Sequence, residues 1–239
     1  MDTQNLIHGD STDIMRQYAD GSFTAVITDP PYASGGMTAS ERRRRTSAKY
    51  QVQGTAKTYA DFPGDSRDQR AHFIWSVEWM KEAYRITREG GWIMAFADWR
   101  QLPCTSDAMQ CAGWIWRGLV VWDKTEACRP SLGMFRNQAE YIVIGTKGSL
   151  GSEQKRPVRV TPAGVFRKYI KPGDKQHLTG KPVELMEHLM QVLPPNSRVL
   201  DPFAGSGTTI LAARNMGHEG VGIEITPEYV EIARSRLAR

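Results

Sequence analysis

Short, unbroken apolar runs alternate along the chain with longer stretches in which apolar residues recur every three or four positions. Phe23–Thr28 (FTAVIT) and Trp92–Ala97 (WIMAFA) lack a polar face, as expected of strands covered on both sides in a mostly parallel sheet. Similar runs predict strands at Leu119–Trp122, Tyr141–Ile144, Arg198–Leu200 and Gly220–Ile225. Helices are predicted over Gln69–Ile86, Gln101–Cys111, Pro182–Val192, Thr208–Met216 and Pro227–Leu237. Thr226 is placed as N-cap of the last helix, with Pro227 at its first position. Gly217 suits the left-handed residue that follows a helix end. Strands alternating with helices predict an α/β fold with a doubly wound, mostly parallel, Rossmann-like sheet.

The chain's 239 residues suit a single domain, 1–239, able to bury roughly 70–75% of its unfolded surface. No basic-then-apolar leader and no membrane-length apolar run is present in the sequence, so a cytoplasmic protein without a membrane segment is expected. Cys104, Cys111 and Cys128 form no CxxC pair and read as reduced, buried thiols. The histidines show no metal-ligand spacing, so no metal is expected.

Charge changes the picture more. The net charge is +5, yet residues 41–60 hold six basic residues against one acidic, and residues 147–175 hold eight against two. Those two segments carry +11, so the remainder carries −6. Both are rich in Gly, Pro, Ser and Thr and poor in apolar periodicity, which predicts loops. Residues 33–68 and 147–175 are therefore read as basic inserts. A charge run is usually a solvated face, but two beside chemical motifs point to a polyanion.

Two such motifs stand at strand ends. Thr28-Asp29-Pro30-Pro31-Tyr32 follows FTAVIT. Its prolines fix φ and remove two amide donors, so the strand must stop in a stiff turn. The turn is either a Pro-Pro terminator with an incidental Asp and Tyr, or a display of a carboxylate, a carbonyl and a ring where open α/β sheets bind ligands. The second motif, Asp201-Pro202-Phe203-Ala204-Gly205-Ser206-Gly207-Thr208-Thr209, lies between a strand and a helix. Gly205 and Gly207 permit a tight turn and close approach to a ligand. Glu224 stands 19 residues after Gly205, where an acidic side chain can accept a ribose's two hydroxyls. The dinucleotide fingerprint fails because Ile210 holds its third glycine position, and no P-loop Lys-Ser/Thr follows. A nucleoside ligand with no pyrophosphate fits this turn.

DPPY and DPFAGSGTT together resemble the catalytic and cofactor motifs of the amino-group DNA methyltransferases. Their order resembles the beta class of that family. Ile7-His8-Gly9-Asp10-Ser11, Trp122-Asp123-Lys124, Phe135-Arg136-Asn137-Gln138-Ala139-Glu140-Tyr141 and His177-Leu178-Thr179-Gly180-Lys181-Pro182 resemble further family segments, although Leu178 replaces the commoner proline. The resemblance implies a class I methyltransferase fold and transfer of methyl from S-adenosylmethionine to an exocyclic nitrogen of adenine or cytosine in double-stranded DNA. It implies catalytic roles for Asp29, Pro30, Pro31 and Tyr32. The Asp29 carboxylate and Pro30 carbonyl would accept the amine's N–H bonds and localise its lone pair. Pro31 would keep the turn rigid, and Tyr32 would stack on a flipped base. It further implies cofactor contacts from Asp10, Asp29, Lys181, Asp201, Phe203, Gly205, Gly207, Thr208 and Glu224. The family's cytosine enzymes usually carry Ser at the Asp29 position, which favours adenine. Beta-class members are often dimers, which implies a homodimer.

Arg42, Arg43, Arg44, Arg45, Lys49, Arg167 and Lys168 are the candidate phosphate contacts. Three function classes stay open on sequence alone. The first is an adenine-N6 DNA methyltransferase. The second is an enzyme of the same fold acting on cytosine or RNA. The third is a nucleic-acid-binding protein with an inactive methyltransferase fold.

Overall fold

The computed structural model describes residues 5–33, 66–128, 130, 132–152, 156–169 and 180–238. The predicted contacts Arg42, Arg43, Arg44, Arg45 and Lys49 lie outside the described residues, as do His177–Thr179.

Eight strands form one sheet: β1 (Leu6–His8), β2 (Phe23–Thr28), β3 (Thr87–Ala97), β4 (Ile115–Asp123), β5 (Ala139–Thr146), β6 (Val165–Arg167), β7 (Arg198–Asp201) and β8 (Glu219–Glu224). Their order is β1-β8-β7-β2-β3-β5-β4-β6. β5 runs antiparallel to both its neighbours, and the other pairs are parallel. This is the predicted α/β fold with a mostly parallel sheet.

Among the described residues six helices cover it: α1 (Ser11–Met15), α2 (Gln69–Ile86), α3 (Leu102–Cys111), α4 (Val183–Met190), α5 (Thr208–Asn215) and α6 (Pro227–Leu237). All six residues of FTAVIT are buried, and they alternate between two cores. Val26 joins Ile93 and Ala95 against Trp79 and Met80 of α2 and Met109 of α3. Ala25 and Ile27 join Met94 and Phe96 against Leu185 and Leu189 of α4 and Ala212 of α5. A strand sandwiched this way has no solvent-facing side, which explains the missing alternation; its two threonines are buried with hydrogen-bond partners.

The predicted bounds of β2, α2 and α6 are met, while β3, β4 and β5 run longer than their apolar cores. β1 and α1 carry too few apolar residues to show periodicity. β6 lies in the second basic segment, which was predicted to be loop. Pairing with the edge of β4 makes it a strand, through Val121↔Val165 and Trp122↔Phe166. Thr226 occupies the N-cap position of α6 with extended backbone, but its hydroxyl caps nothing and is buried without a partner among the described residues. Pro227 lacks an N–H, so this helix begins with one fewer orphan donor. Gly217 does end α5 at φ +72°. Its N–H reaches the Arg214 carbonyl, and that of His218 reaches the Ala213 carbonyl (3.1 and 2.8 Å). That is the Schellman pattern. Of the cysteines, only Cys104 is buried; Cys111 is exposed and Cys128 intermediate.

One basic residue of the second segment serves the fold. Lys147 Nζ donates to the carbonyls of Tyr84 (3.0 Å) and Thr87 (2.9 Å) and closes the C-terminus of α2, where orphan carbonyls favour a cation.

α5 packs directly onto β8. A Cβ at Gly220 would lie 2.9 Å from the Ile210 Cα, and one at Gly222 would lie 2.5 Å from Ile210 Cδ1. In the dinucleotide fingerprint the third glycine, on the helix, allows this approach. Here Ile210 fills that place and the strand supplies the glycines. Gly220→Ala meets backbone that cannot give way, so it should cost about 2 kcal/mol, read as a lower urea midpoint with unchanged slope.

Candidate active site

From β2 the chain winds outward through β3, and from β7 it winds the other way through β8. The carboxyl ends of β2 and β7 therefore flank the switch point where open α/β sheets form a crevice. A cavity of about 620 Å³ opens there, within the size range of small-molecule sites. Both sequence motifs line it: Asp29 to Tyr32 after β2, and Asp201 to Ser206 after β7.

A buried contact joins the motifs. Thr28, the last residue of β2, donates its hydroxyl to Asp201 Oδ1 (2.6 Å). Thr209 donates to Oδ2 (2.5 Å), and the Phe203 N–H donates to Oδ1 (3.1 Å). Asp201 thus braces the glycine turn against β2. Its burial outweighs these hydrogen bonds and pushes the carboxyl up to about 6.

On the β7 side, Glu224 ends β8. Its two oxygens accept the N–H groups of Gly205 (2.8 Å) and Thr226 (2.7 Å), which fixes the carboxylate and leaves lone pairs free. Asp10 caps α1 by accepting the Thr12 N–H (2.9 Å) and lines the cavity. Phe203 packs against Trp75 and Trp79. Thr208 lines the cavity and accepts a hydrogen bond from Arg236 Nη1 (2.8 Å). Gly207 stands apart from the lining. It begins α5 at φ +77°, with Ala233 and Leu237 behind it, so it contributes a left-handed backbone.

On the β2 side, Lys181 lies almost wholly inside, with a side chain 3% exposed. Its Nζ donates to Asp29 Oδ2 at 2.5 Å and lies 3.2 Å from Glu140 Oε2. Lys124 donates to Glu140 Oε1 (3.1 Å), and the Tyr32 hydroxyl donates to Oε2 (3.3 Å). Asp29 Oδ1 is buried with no hydrogen-bond partner among the described residues.

Burial raises the Asp29 carboxyl above its ordinary value, against the pull of Lys181. Burial also opposes charge on Glu140, but Lys181 and Lys124 overcome it and hold that carboxyl at about 2. Lys181 is desolvated too, yet the two carboxylates raise its pKa, so it stays a cation. Burial and the same carboxylates push the Tyr32 phenol well above its usual range.

Lys181, expected among the cofactor residues, lines the cavity with its ammonium on Asp29. Glu140 and Lys124 were assigned no role. The available signal was a lone carboxylate opening the apolar run AEYIVI. Arg167 and Lys168 are partly exposed and internally paired. Arg167 meets Asp123 and Glu126, and Lys168 meets Glu184.

The model of the N6/N4 DNA methylases matches residues 23–235. The chain belongs to that family. This methylase is 29% identical over 234 residues to YubD of Escherichia coli (strain K12), named a methylase, covering 98% of the chain and 89% of YubD. Its fold is similar to that of M1.HpyAVI in complex with S-adenosylmethionine, with a TM-score of 0.68 at 22% identity, over 98% of this chain and 99% of that one. It is similarly close to the cytosine-N4-specific PvuII DNA methyltransferase, with a TM-score of 0.68 at 15% identity, over 97% and 85% of the two chains. No described helix is long and apolar enough to cross a membrane.

Asp201 gives this methylase a testable pH signature. Its carboxyl titrates near 6 in the fold and near 3.9 in an unfolded chain, so the native state binds the extra proton between those values. Stability from this group is present below about pH 4 and is lost as pH rises through 6. The difference in unfolding free energy between wild type and Asp201→Asn should fall by roughly 2 kcal/mol from pH 4 to pH 7. A difference independent of pH overturns the assignment.

Proposed function

We propose that this methylase transfers the methyl group of S-adenosylmethionine to the N6 amine of an adenine flipped out of double-stranded DNA. The observation that carries the reading is the buried Oδ1 of Asp29, without a hydrogen-bond partner among the described residues, in the cavity at the end of β2. A buried acceptor left without a donor costs free energy, and it serves a site whose donor arrives with the substrate. An exocyclic amine has two N–H donors and a delocalised lone pair. Asp29 Oδ1 and the Pro30 carbonyl accept those donors, concentrate the lone pair on nitrogen and favour the positive charge that develops there. Pro31 holds the two acceptors in place, and the Tyr32 ring offers the base a stacking face.

When bound, S-adenosylmethionine supplies a methyl on a sulfonium, which is left as a neutral thioether; the methylated nitrogen sheds one proton, for which Asp29 is the adjacent base. The chain's own residues suit this ligand. Glu224 keeps lone pairs that would meet two ribose hydroxyls, Asp10 would meet the adenine, and Phe203 and Gly205 would wall the sugar and methionine. Asp201, Gly207 and Thr208 shape the turn, and Lys181 acts through Asp29. Asp29 favours adenine over cytosine. A homodimer is the expected assembly, which sedimentation tests.

Duplex affinity is assigned to Arg42, Arg43, Arg44, Arg45 and Lys49, with smaller parts for the paired Arg167 and Lys168. Neutralising Arg42–Arg45 should weaken DNA binding and flatten its salt dependence while sparing cofactor binding. An equal fall in cofactor affinity would make the cluster structural.

The decisive experiment incubates the protein with methyl-labelled cofactor and unmethylated DNA, then digests to nucleosides. Labelled N6-methyladenine is expected. Labelled N4-methylcytosine moves the assignment to cytosine, and no labelled base overturns it. Asp29→Ala should lose about 10²-fold or more in rate. Methyl transfer needs ionised Asp29, so the rate should fall on the acid side as pH drops through a value above the ordinary aspartate value.

A further inference from the structure

We infer that Glu140 is a positioning residue for methyl transfer: by holding Lys181 and Tyr32 from one side, it fixes which oxygen of Asp29 faces the target amine. The inference rests on the reading just given for Asp29.

Topology brings Glu140 to the site. The strands β2 and β3 end at the cavity, and a parallel neighbour would only begin at the opposite end of the sheet. β5 is antiparallel to β3, with Tyr141 opposite Ala97, so its first residues lie where the parallel strands finish. Glu140 therefore reaches the Asp29 cluster from two strands away, across β3.

Asp29 alone does not determine its own orientation. A carboxylate presents two equivalent oxygens, and an ammonium bound to it alone can exchange between them. Lys181 is held on its other side by Glu140 Oε2 (3.2 Å), and this second anchor fixes Nζ on Asp29 Oδ2. Glu140 is itself held through Oε1 by Lys124, which comes from the end of β4. The Tyr32 hydroxyl shares Oε2 (3.3 Å), so the same carboxylate sets the position of the ring assigned to stacking. One residue thus ties the acceptor and the stacking face to a common frame. Removing it should misplace both, and small displacements of reacting groups are costly in rate.

Among the described residues, the charged groups facing this cluster are Asp29, Glu140, Lys124 and Lys181, with Asp98 acting on Tyr32 and Asp201 coupled to Asp29 from the end of β7. Two carboxylates and two ammoniums balance at its centre. Glu140→Gln leaves an excess positive charge beside Asp29 and removes a negative charge that raises the Asp29 carboxyl. The acid limb of kcat should then move to lower pH even as the maximal rate falls. Glu140→Asp keeps the charge but shortens the reach, so its limb should stay in place while its rate falls.

The test measures kcat, KM for cofactor and for DNA, and the pH profile of kcat for wild type, Glu140→Gln and Glu140→Asp. Support consists of a kcat loss of about tenfold or more in both variants, cofactor KM within about twofold, and an acid limb displaced downward in the Gln variant alone. Unchanged kcat, a limb that stays fixed or rises in Glu140→Gln, or a loss expressed mainly as weaker cofactor binding each overturns the inference. If Glu140→Gln fails to fold by circular dichroism, Glu140→Asp decides the matter on rate and limb position. A wild type that labels no base instead refutes the methyl-transfer reading itself.

Discussion

Everything at the cavity depends on one hydrogen bond between segments 173 residues apart, from the Thr28 hydroxyl to Asp201 Oδ1. β2 and β7 are neighbours in the sheet, and their ends carry the two chemical motifs. Thr28 precedes the acceptor turn directly, and Asp201 begins the glycine turn. The contact therefore sets the distance between the Asp29 acceptor and the wall of the nucleoside pocket. It also explains why an expensive group is kept there. Buried Asp201 holds a carboxyl near 6, a state the unfolded chain does not share, in exchange for three hydrogen bonds that organise the turn.

A second group of charges has the opposite character. Lys181 lies between Asp29 and Glu140, and Lys124 balances Glu140 from the rim. Burying one such group would be prohibitive, whereas a balanced set with nearly all its donors and acceptors engaged is sustainable. The exception is Asp29 Oδ1. A preorganised acceptor needs no rearrangement when its partner arrives.

Much of this was legible in the sequence because it is local. Two-sided burial left its mark in FTAVIT and WIMAFA, and proline and glycine marked both turns. The spacing of Glu224 from Gly205 announced a carboxylate at the next strand end, where it accepts the Gly205 N–H. What stayed hidden is long-range. Glu140 enters the site only because β5 reverses direction. The strand β6 exists only because β4 offers it an edge, and the charges of Lys147, Arg167 and Lys168 are met by partners distant in sequence. The failed dinucleotide fingerprint is instructive for the same reason. The close helix–strand approach it encodes is present, but Gly220 and Gly222 supply it from the strand, where a helix-based pattern cannot find it.

The two outermost strands, β1 and β6, are only three residues long. β1 is backed by α6 through Leu6, Val230 and Ala233, and β6 ends in Arg167, paired with Asp123 and Glu126. Short, covered or charged rims offer little backbone for another strand to join. Self-association by sheet extension is thereby discouraged at both ends, so a second copy would have to approach through helices and loops. The same geometry protects a largely apolar, two-sided sheet from the edge-to-edge stacking that leads to aggregation.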